Sequence, residues 1–348
     1  MDDTTIILND IENWYDRNVT TYRAYTKQVV DLLDTIIRRK GVPFHSITSR
    51  VKDRNSYIEK CKRKNYKVPS EDITDFAGIR IIAYTLADVK QISSLVENEF
   101  TIDRNNSMDK AELLSADKVG YLSIHYVAQL SQSRTALIEY SFYSGLKCEI
   151  QIRTLLQHAW AEIEHDRSYK FSGVLPIDID RRFHLVAGVL EIMDYEFQRL
   201  SDEIDRYVKD VQDKTKKGEL DIDINSTSLI EFLQQKLPKI PVAPTLKGSD
   251  DKIIQELKDF GILKIYHLNA ILSEDFFRFI TELYNSDGYK CADNYIGLLR
   301  ILMIFADSEK YFKEAWKNNW GAIEKELVAL FNKYGVSTEE IKNRVDII

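Results

Sequence analysis

Glycine is scarce in this chain, with 13 residues among 348, and no glycine-rich phosphate-binding loop is present. Nucleotide-binding proteins of the P-loop and Rossmann types hold phosphates with such a loop, so the sequence excludes both types. Any phosphate that this protein binds would therefore have to be held by side chains.

Cysteines and long apolar segments are also lacking. The three cysteines, Cys61, Cys148 and Cys291, lie far apart and form no CxxC pair, so we predict no disulfide framework. No apolar run approaches the roughly 20 residues of a membrane span, and the acidic N-terminus has no signal-peptide pattern. These absences predict a cytoplasmic protein with no membrane partner.

The formal net charge of −7 argues against a protein that coats DNA or RNA with its whole surface. The charge is nevertheless uneven, because residues 38–67 contain eleven lysines and arginines against two acids. A basic patch on an acidic protein indicates an anionic ligand of limited size. The alternative is an ordinary solvated helix face.

Hydrophobic periodicity divides the chain into an α/β part and a helical part. Helices are predicted over residues 10–40, 50–65, 87–100, 154–169 and 178–216. Strands are predicted over residues 76–84, 120–130 and 145–153, with a short strand near 100–103 and a loop over 104–119. We therefore expect an α/β (α+β) fold with a mixed sheet of about five strands flanked by helices.

The predicted organisation has three parts. Residues 1–218 form the α/β domain, and residues 251–348 form an all-α module of amphipathic helices. Residues 219–250 join them as a linker, because residues 236–251 contain three prolines.

Polar residues on the predicted strands form a first candidate site. Asp75 stands at the mouth of strand 76–84, and Glu149 points away from the core on strand 145–153. Two carboxylates on neighbouring strands can bind Mg²⁺, which prefers oxygen ligands and often shares them with substrate phosphates. The alternative is structural: Asp75 caps a turn, and Glu149 pairs with Arg153 or Arg80.

The segment SRVKDRNSYIEKCKRK carries a second candidate site. On a helix, Ser56, Lys60 and Arg63 share one face, and Lys52 lies one turn before Ser56. Such a stripe could bind a polyphosphate.

An aromatic residue begins the segment GYLSIHY. Tyr121, Ser123 and His125 share one face of the predicted strand. Tyr121 could stack on a purine, or it could simply pack at the edge of the sheet.

Four segments in order resemble the synthetase domain of the RelA/SpoT family of alarmone synthetases. They are SRVKDRNSYIEKCKRK, DFAGIRII, GYLSIHYV and CEIQIRTLLQHAWAEIEH, within a resemblance that covers about residues 10–215. The resemblance implies a nucleotidyltransferase-like domain. It also implies Mg²⁺-dependent transfer of the β,γ-pyrophosphate of ATP to the 3′-hydroxyl of GDP or GTP, which makes (p)ppGpp.

The resemblance implies a role for each matching residue. Asp75 and Glu149 would be catalytic and bind Mg²⁺, and Glu149 would also take the proton of the acceptor hydroxyl. ATP would be held by Arg50 and Arg80, whose flat guanidinium groups sandwich the adenine, and by Lys52, Ser56, Lys60 and Arg63 at its phosphates. The acceptor nucleotide would be bound by Tyr121, stacked on the guanine, by Gln151 and His158 in the purine pocket, and by His125, Arg153 and Lys170 near phosphates.

The sequence also departs from the family at several points. Too few residues precede Arg50 to hold the family's hydrolase domain, so we expect synthesis of the product without its hydrolysis. The loop before GYLS does not align with a charged motif of the family, so the choice between GDP and GTP stays open.

The C-terminal module leaves further alternatives open. It could restrain a toxin-type enzyme that pyrophosphorylates the 3′ end of tRNA or makes adenosine alarmones. It could equally be a sensor or an oligomerisation domain that makes the protein a homo-oligomer, or a scaffold. A third hypothesis for the whole chain is a nucleotide sensor without catalytic activity.

Overall fold

The computed structural model describes residues 3–64, 66, 72–109, 123–170, 176–237, 246, 250–285, 294–317 and 320–348. The chain divides into two compact units, Met1–Ser201 and Asp202–Ile348. Each unit has its own cluster of buried hydrophobic side chains. The boundary between the units falls inside one long helix.

The first unit contains the α/β part of the chain. Its helices are α1 (Asp3–Arg39), α2 (Arg54–Lys64), α3 (Leu86–Glu99), the single turn α4 (Gln132–Thr135), α5 (Leu155–Lys170) and the long α6 (Ile177–Lys217), which ends in the second unit. Its strands are β1 (Ser46–Val51), β2 (Ala77–Ala83), β3 (Phe100–Ile102), β4 (Met108–Asp109), β5 (Ile124–Leu130) and β6 (Cys148–Thr154).

These strands form one mixed sheet in the order β1-β2-β6-β5-β3, with β4 also paired to β5. β2 and β6 are parallel, whereas the other pairs are antiparallel. The predicted fold class, a mixed sheet flanked by helices with a helical C-terminal part, is therefore confirmed.

The sheet has one apolar and one polar face. On β6, Cys148, Ile150 and Ile152 are fully buried, whereas the residues between them are only partly buried. Helix α1 covers the apolar face, and the hydroxyl of its buried Tyr25 donates to Sγ of Cys148 over 3.5 Å. The polar face of β6 is left open for a site.

Residues 50–65 do not form the single helix that we predicted. Arg50 belongs to strand β1, and Lys52 lies between this strand and α2. The helix begins only after Asp53, whose Oδ1 accepts a hydrogen bond of 3.0 Å from the backbone N–H of Ser56. β1 is a polar edge strand whose partner β2 comes later in the chain, so its local pattern does not reveal it.

The other predicted elements of the first unit differ mainly at their ends. Residues 108–109, predicted to be part of a loop, form the short strand β4 against β5. The rest of that predicted loop, and the start of the strand predicted over 120–130, lie outside the described residues.

The second unit consists mainly of helices. They are α7 (Ser226–Lys236), α8 (Asp250–Asp259), α9 (Ile265–Ile271), α10 (Glu274–Asn285), α11 (Tyr295–Lys310), α12 (Lys325–Lys333) and α13 (Glu339–Arg344). A π-helical turn (Tyr311–Ala315) follows α11, and two short parallel strands, β7 (Ala322–Ile323) and β8 (Asp346–Ile347), lie near the end of the chain.

Helix α7 falls within residues 219–250, which we predicted to be a linker. Its side chains Leu229, Phe232 and Leu233 are fully buried in the core of the second unit. These apolar residues recur at helical spacing, so the segment packs as a helix. The prolines that suggested a linker come only after it.

A buried ion pair joins two helices of the second unit. Glu256, only 1% exposed, accepts hydrogen bonds of 2.9 and 2.6 Å from Nε and Nη2 of Arg300. The hydroxyl of Tyr311 donates to the same carboxylate over 3.0 Å. The charge of Glu256 is thus fully paired where water cannot reach it.

Among the described residues, no helix combines the length and the apolar character needed to cross a membrane.

Candidate functional site

A cavity of about 490 Å³ opens on the polar face of the sheet. Strand pairing places Arg50 opposite Gly78, and Gly78 opposite Glu149, in one row across β1, β2 and β6. The next row on the same face pairs Arg80 with Gln151. Since paired residues direct their side chains to the same face, the sheet itself brings these groups to one cavity.

Glu149 is held at both carboxylate oxygens. Nδ1 of His125 lies 2.9 Å from Oε1, and Nε2 of Gln151 donates to Oε2 over 3.0 Å. Burial by itself would raise the pKa of Glu149, but the hydrogen bonds and the charge interaction with His125 outweigh it, so the pKa lies below its usual value. Glu149 is therefore ionised and rigidly oriented at neutral pH.

Arg153 acts on Glu149 through Gln151. Its Nη2 donates to Oε1 of Gln151 over 2.9 Å, which leaves the amide nitrogen of Gln151 directed at Glu149. The pKa of Arg153 is lowered by burial and by the nearby charge of Arg80. Sequence reasoning left open whether Arg153 contacts Glu149, and the structure shows that it does so only indirectly.

Asp75 is held by two lysines. Nζ of Lys52 and Nζ of Lys60 lie 2.9 and 2.6 Å from the same oxygen, Oδ2. Burial raises the pKa of Asp75, but the hydrogen bonds and charges of the two lysines outweigh it and lower the pKa below its usual value. The two lysines predicted to hold phosphates thus meet at the predicted metal ligand.

The two carboxylates suit a Mg²⁺ ion that is shared with a substrate. Asp75 and Glu149 line the same cavity, and Oδ1 of Asp75 is buried without a hydrogen-bond partner within the described part of the chain. The described residues contain no group of three or more His, Cys, Asp or Glu side chains suited to a metal ion. Mg²⁺ is commonly held by one or two carboxylates with substrate phosphates and water as its other ligands, so this pair fits it.

Two arginines line the cavity beside the carboxylates. The side chain of Arg50 lies over Gly78, where a Cβ atom would be 3.8 Å from Cγ of Arg50. Nη1 of Arg80 donates to Oε1 of Glu162, on α5, over 2.7 Å. The pair of guanidinium groups makes this end of the cavity cationic.

His158 lies on α5 close to Arg80. Its Nδ1 is buried and stands 3.8 Å from Oε1 of Glu162, which is too far for a hydrogen bond. Burial and the charge of Arg80 lower the pKa of His158, so the ring is neutral at pH 7.

Four buried polar atoms around the cavity have no partner among the described residues. They are Oδ1 of Asp75, Nε of Arg80, Nε of Arg153 and Nδ1 of His158. Buried polar atoms are nearly always hydrogen-bonded in proteins, so these atoms mark where a ligand would bond.

The remaining predicted site residues are not brought to the cavity by the described structure. Ser56 and Arg63 are exposed on α2 and are not among the described residues that line the cavity. Tyr121 lies outside the described residues. Lys170 ends α5, and its side chain also lies outside the described part.

The residues that line the cavity without having been predicted as site residues include Ser123, Trp160 and Glu162. A signal existed for two of them. Ser123 shares a strand face with His125, and Glu162 follows His158 by one helical turn.

The fold and the cavity define a protein whose arginines and carboxylates meet in a cavity on one face of a mixed sheet. The family model described as the region found in RelA and SpoT proteins matches residues 49–173. Every predicted site residue, from Arg50 to Lys170, lies within that match.

Two curated proteins of Bacillus subtilis (strain 168) are similar to this chain. The chain is 30% identical to GTP pyrophosphokinase YjbM over 169 residues, which are 47% of this chain and 74% of that protein. It is 26% identical to GTP pyrophosphokinase YwaC over 218 residues, 59% of this chain and 97% of that protein. The chain belongs to the RelA/SpoT family, which confirms the family and the enzyme class that the four motifs predicted.

A solved structure is also similar. The crystal structure of small alarmone synthetase 1 from Bacillus subtilis aligns with a TM-score of 0.48 and 26% identity, covering 56% of this chain and 99% of that chain.

Proposed function

We propose that the protein transfers the β,γ-pyrophosphate of ATP to the 3′-hydroxyl of GDP or GTP in a Mg²⁺-dependent reaction that makes (p)ppGpp. Family membership supports this proposal, as do the names of both curated relatives. The observation that carries it is the ionised Glu149, held at both oxygens in a cavity lined by arginines. Substrates of this kind place the reaction in the cytoplasm.

Glu149 has the position and charge of a general base. The acceptor 3′-hydroxyl gives its proton to Glu149, and its oxygen bonds to the β-phosphorus of ATP. The bond between that phosphorus and the oxygen that bridges it to the α-phosphate breaks, and AMP leaves. Transfer of this kind requires mainly alignment and charge neutralisation, because the protein has little covalent chemistry to perform.

The charged groups around Asp75 serve that neutralisation. When bound, Mg²⁺ neutralises phosphate charge, and Asp75 and Glu149 would hold it. Lys52 and Lys60, which meet at Oδ2 of Asp75, add positive charge at the same place. The polyphosphate of ATP would therefore lie beside Asp75.

Arg50 and Arg80 would hold the adenine. They stand on neighbouring antiparallel strands, one pleat apart on the same face, since Arg50 pairs with Gly78. Such diagonal neighbours are about 7–8 Å apart, which leaves room for one flat ring between two guanidinium planes. Arginine stacks on flat rings in a way that lysine does not.

The test uses the purified full chain with ATP, Mg²⁺ and either GDP or GTP. We expect a pyrophosphorylated guanosine nucleotide and AMP, separated by ion-exchange chromatography. Glu149→Gln should lower the rate by about 10²–10⁴-fold, the usual contribution of a general base. Glu196→Gln is the matched control, because Glu196 is an exposed glutamate of α6 outside the cavity lining.

Two results contradict the proposal. The first is wild-type protein that gives no product with either acceptor. The second is Glu149→Gln protein that is as active as the wild type.

A tRNA acceptor is the second candidate, favoured by the separate second unit with its own core, which could restrain a toxin-type activity. ATP labelled in its β- or γ-phosphate, incubated with bulk tRNA, distinguishes the two. Label at the tRNA 3′ end would support this candidate, whereas unlabelled tRNA beside active synthesis of (p)ppGpp would eliminate it.

A further inference from the structure

A continuous hydrogen-bond chain runs from Ser123 through His125 to Glu149. Oγ of Ser123 lies 2.7 Å from Nε2 of His125, and Nδ1 of the same ring lies 2.9 Å from Oε1 of Glu149. We infer that His125 is a positioning residue that holds the carboxylate of Glu149 for proton abstraction, and that Ser123 fixes the ring in that role. This inference rests on the proposed function, in which Glu149 is the base.

The direction of each hydrogen bond follows from the chemistry of the groups. An ionised carboxylate only accepts, so Nδ1 of His125 must donate to Glu149. Nε2 accepts from the hydroxyl of Ser123 when the ring is neutral and donates to it when the ring is protonated, so this nitrogen has a partner in both states. Ser123 is only 7% exposed, which leaves water little access to this end of the chain.

The pairing of β5 with β6 places His125 and Gln151 so that each forms a hydrogen bond to Glu149. His125 is paired with Gln151 across β5 and β6, one pleat away from Glu149. Each of the two side chains therefore reaches along the sheet to a different oxygen of Glu149. The carboxylate is fixed in its plane because both of its ends are bonded.

This arrangement differs from the role that the family resemblance implied for His125. As a residue near the acceptor phosphates, its ring would need a free N–H to donate. In the structure both ring nitrogens already have partners within hydrogen-bond distance, Ser123 at Nε2 and Glu149 at Nδ1. His125 therefore acts on the reaction through Glu149, and its contact with the acceptor phosphates stays a prediction.

Four variants test the inference by kinetics. Groups that orient a functional ligand typically contribute 10–100-fold, so His125→Ala should lower kcat by about that factor with KM for ATP and for the acceptor unchanged. His125→Asn should retain most of kcat, because its amide nitrogen takes the place of Nδ1. His125→Gln should not, because its amide takes the place of Nε2. The control is His184→Ala, an exposed histidine of α6 whose Nδ1 contacts the backbone oxygen of Asp180 at 2.9 Å; it should match the wild type.

A second measurement does not depend on activity. In protein labelled with ¹⁵N-histidine and kept free of metal and nucleotide, the ring of His125 should carry a proton at Nδ1, the nitrogen that faces Glu149. Loss of the signal in His125→Ala assigns it, and Ser123→Ala should shift the tautomer balance because Nε2 loses its hydrogen-bond partner.

The inference is overturned if His125→Ala raises the acceptor KM while kcat is kept, if His125→Asn is as impaired as His125→Ala, or if the ring is protonated only at Nε2. A wild-type enzyme that is silent with every acceptor would refute the proposed function instead. The NMR result would still decide whether His125 holds Glu149.

Discussion

The ion pair between Arg80 and Glu162 gives a prediction whose size follows from its exposure. Nη1 of Arg80 and Oε1 of Glu162 are 2.7 Å apart, and the two side chains are 27% and 56% exposed. Water screens a pair this exposed, so it contributes about 0.2–1 kcal/mol. A free-energy change of about 1.4 kcal/mol corresponds to a tenfold change in an equilibrium constant. Losing the pair therefore changes the equilibrium constant for binding by at most about fivefold.

Glu162→Gln should therefore raise KM for ATP by up to about fivefold and leave kcat within twofold of the wild type. The reason is that Arg80 would hold the adenine, whereas the reacting atoms lie at Glu149. The assay is the initial rate as a function of ATP concentration at saturating GDP, accompanied by thermal unfolding, which should show a loss of no more than about 1 kcal/mol.

The control for this variant is Glu196→Gln. Glu196 and Arg199 form an exposed pair of 2.5 Å on α6, so the control removes a similar ion pair outside the cavity. A tenfold fall in kcat with unchanged KM would refute the reasoning, because it would place Glu162 at the reacting groups. An unchanged KM and kcat would show that Glu162 does not orient Arg80.

Three further variants probe stability. Arg300→Met leaves the buried Glu256 without its cation and should cost about 3–5 kcal/mol in chemical denaturation, so a loss below about 1 kcal/mol would contradict the ion-pair assignment. Ile150→Ala leaves a cavity at a fully buried position next to Glu149 in the sequence and should lower the free energy of unfolding by about 2–5 kcal/mol in the same measurement. An unchanged denaturation midpoint would contradict this, because it would mean that the surrounding side chains fill the cavity. The pKa of Asp75 is lower in the folded than in the unfolded chain, so its stabilisation is fully present above the unfolded value of about 3.9 and is lost as the pH falls through the folded value. Asp75→Asn should thus be less stable than the wild type at pH 7, with a difference that shrinks below about pH 4; a difference that grew on acidification would contradict the lysine contacts.

The periodicity of the sequence predicted the face on which the site lies. Residues 148–154 alternate between apolar and polar side chains, and the structure buries Ile150 while Glu149 faces the cavity. The long helices were predicted for the same reason, since α1 and α6 repeat their apolar residues at helical spacing. Both patterns are local, because the direction of a side chain depends on the backbone of its own segment.

Strand β1 shows where local patterns fail. The residues of β1 are polar and precede a helix, and the sequence predicted a single helix over residues 50–65 that included Arg50 and Lys52. Only pairing with β2, a segment distant in sequence, makes Ser46–Val51 a strand and sets Arg50 beside Gly78. The structure also turns Lys52 and Lys60 onto Asp75, a contact that no spacing within one segment could reveal.

By itself, the sequence determined the family, most of the helices and central strands of the α/β part and the polar face of β6, because motifs and periodicity reside in contiguous residues. The tertiary structure alone decided the strand order, the partners of each carboxylate and the contact of His125 with Glu149. The physical reason is that register across strands arises from packing between distant segments. It sets which polar groups share a face, and hence which ones meet.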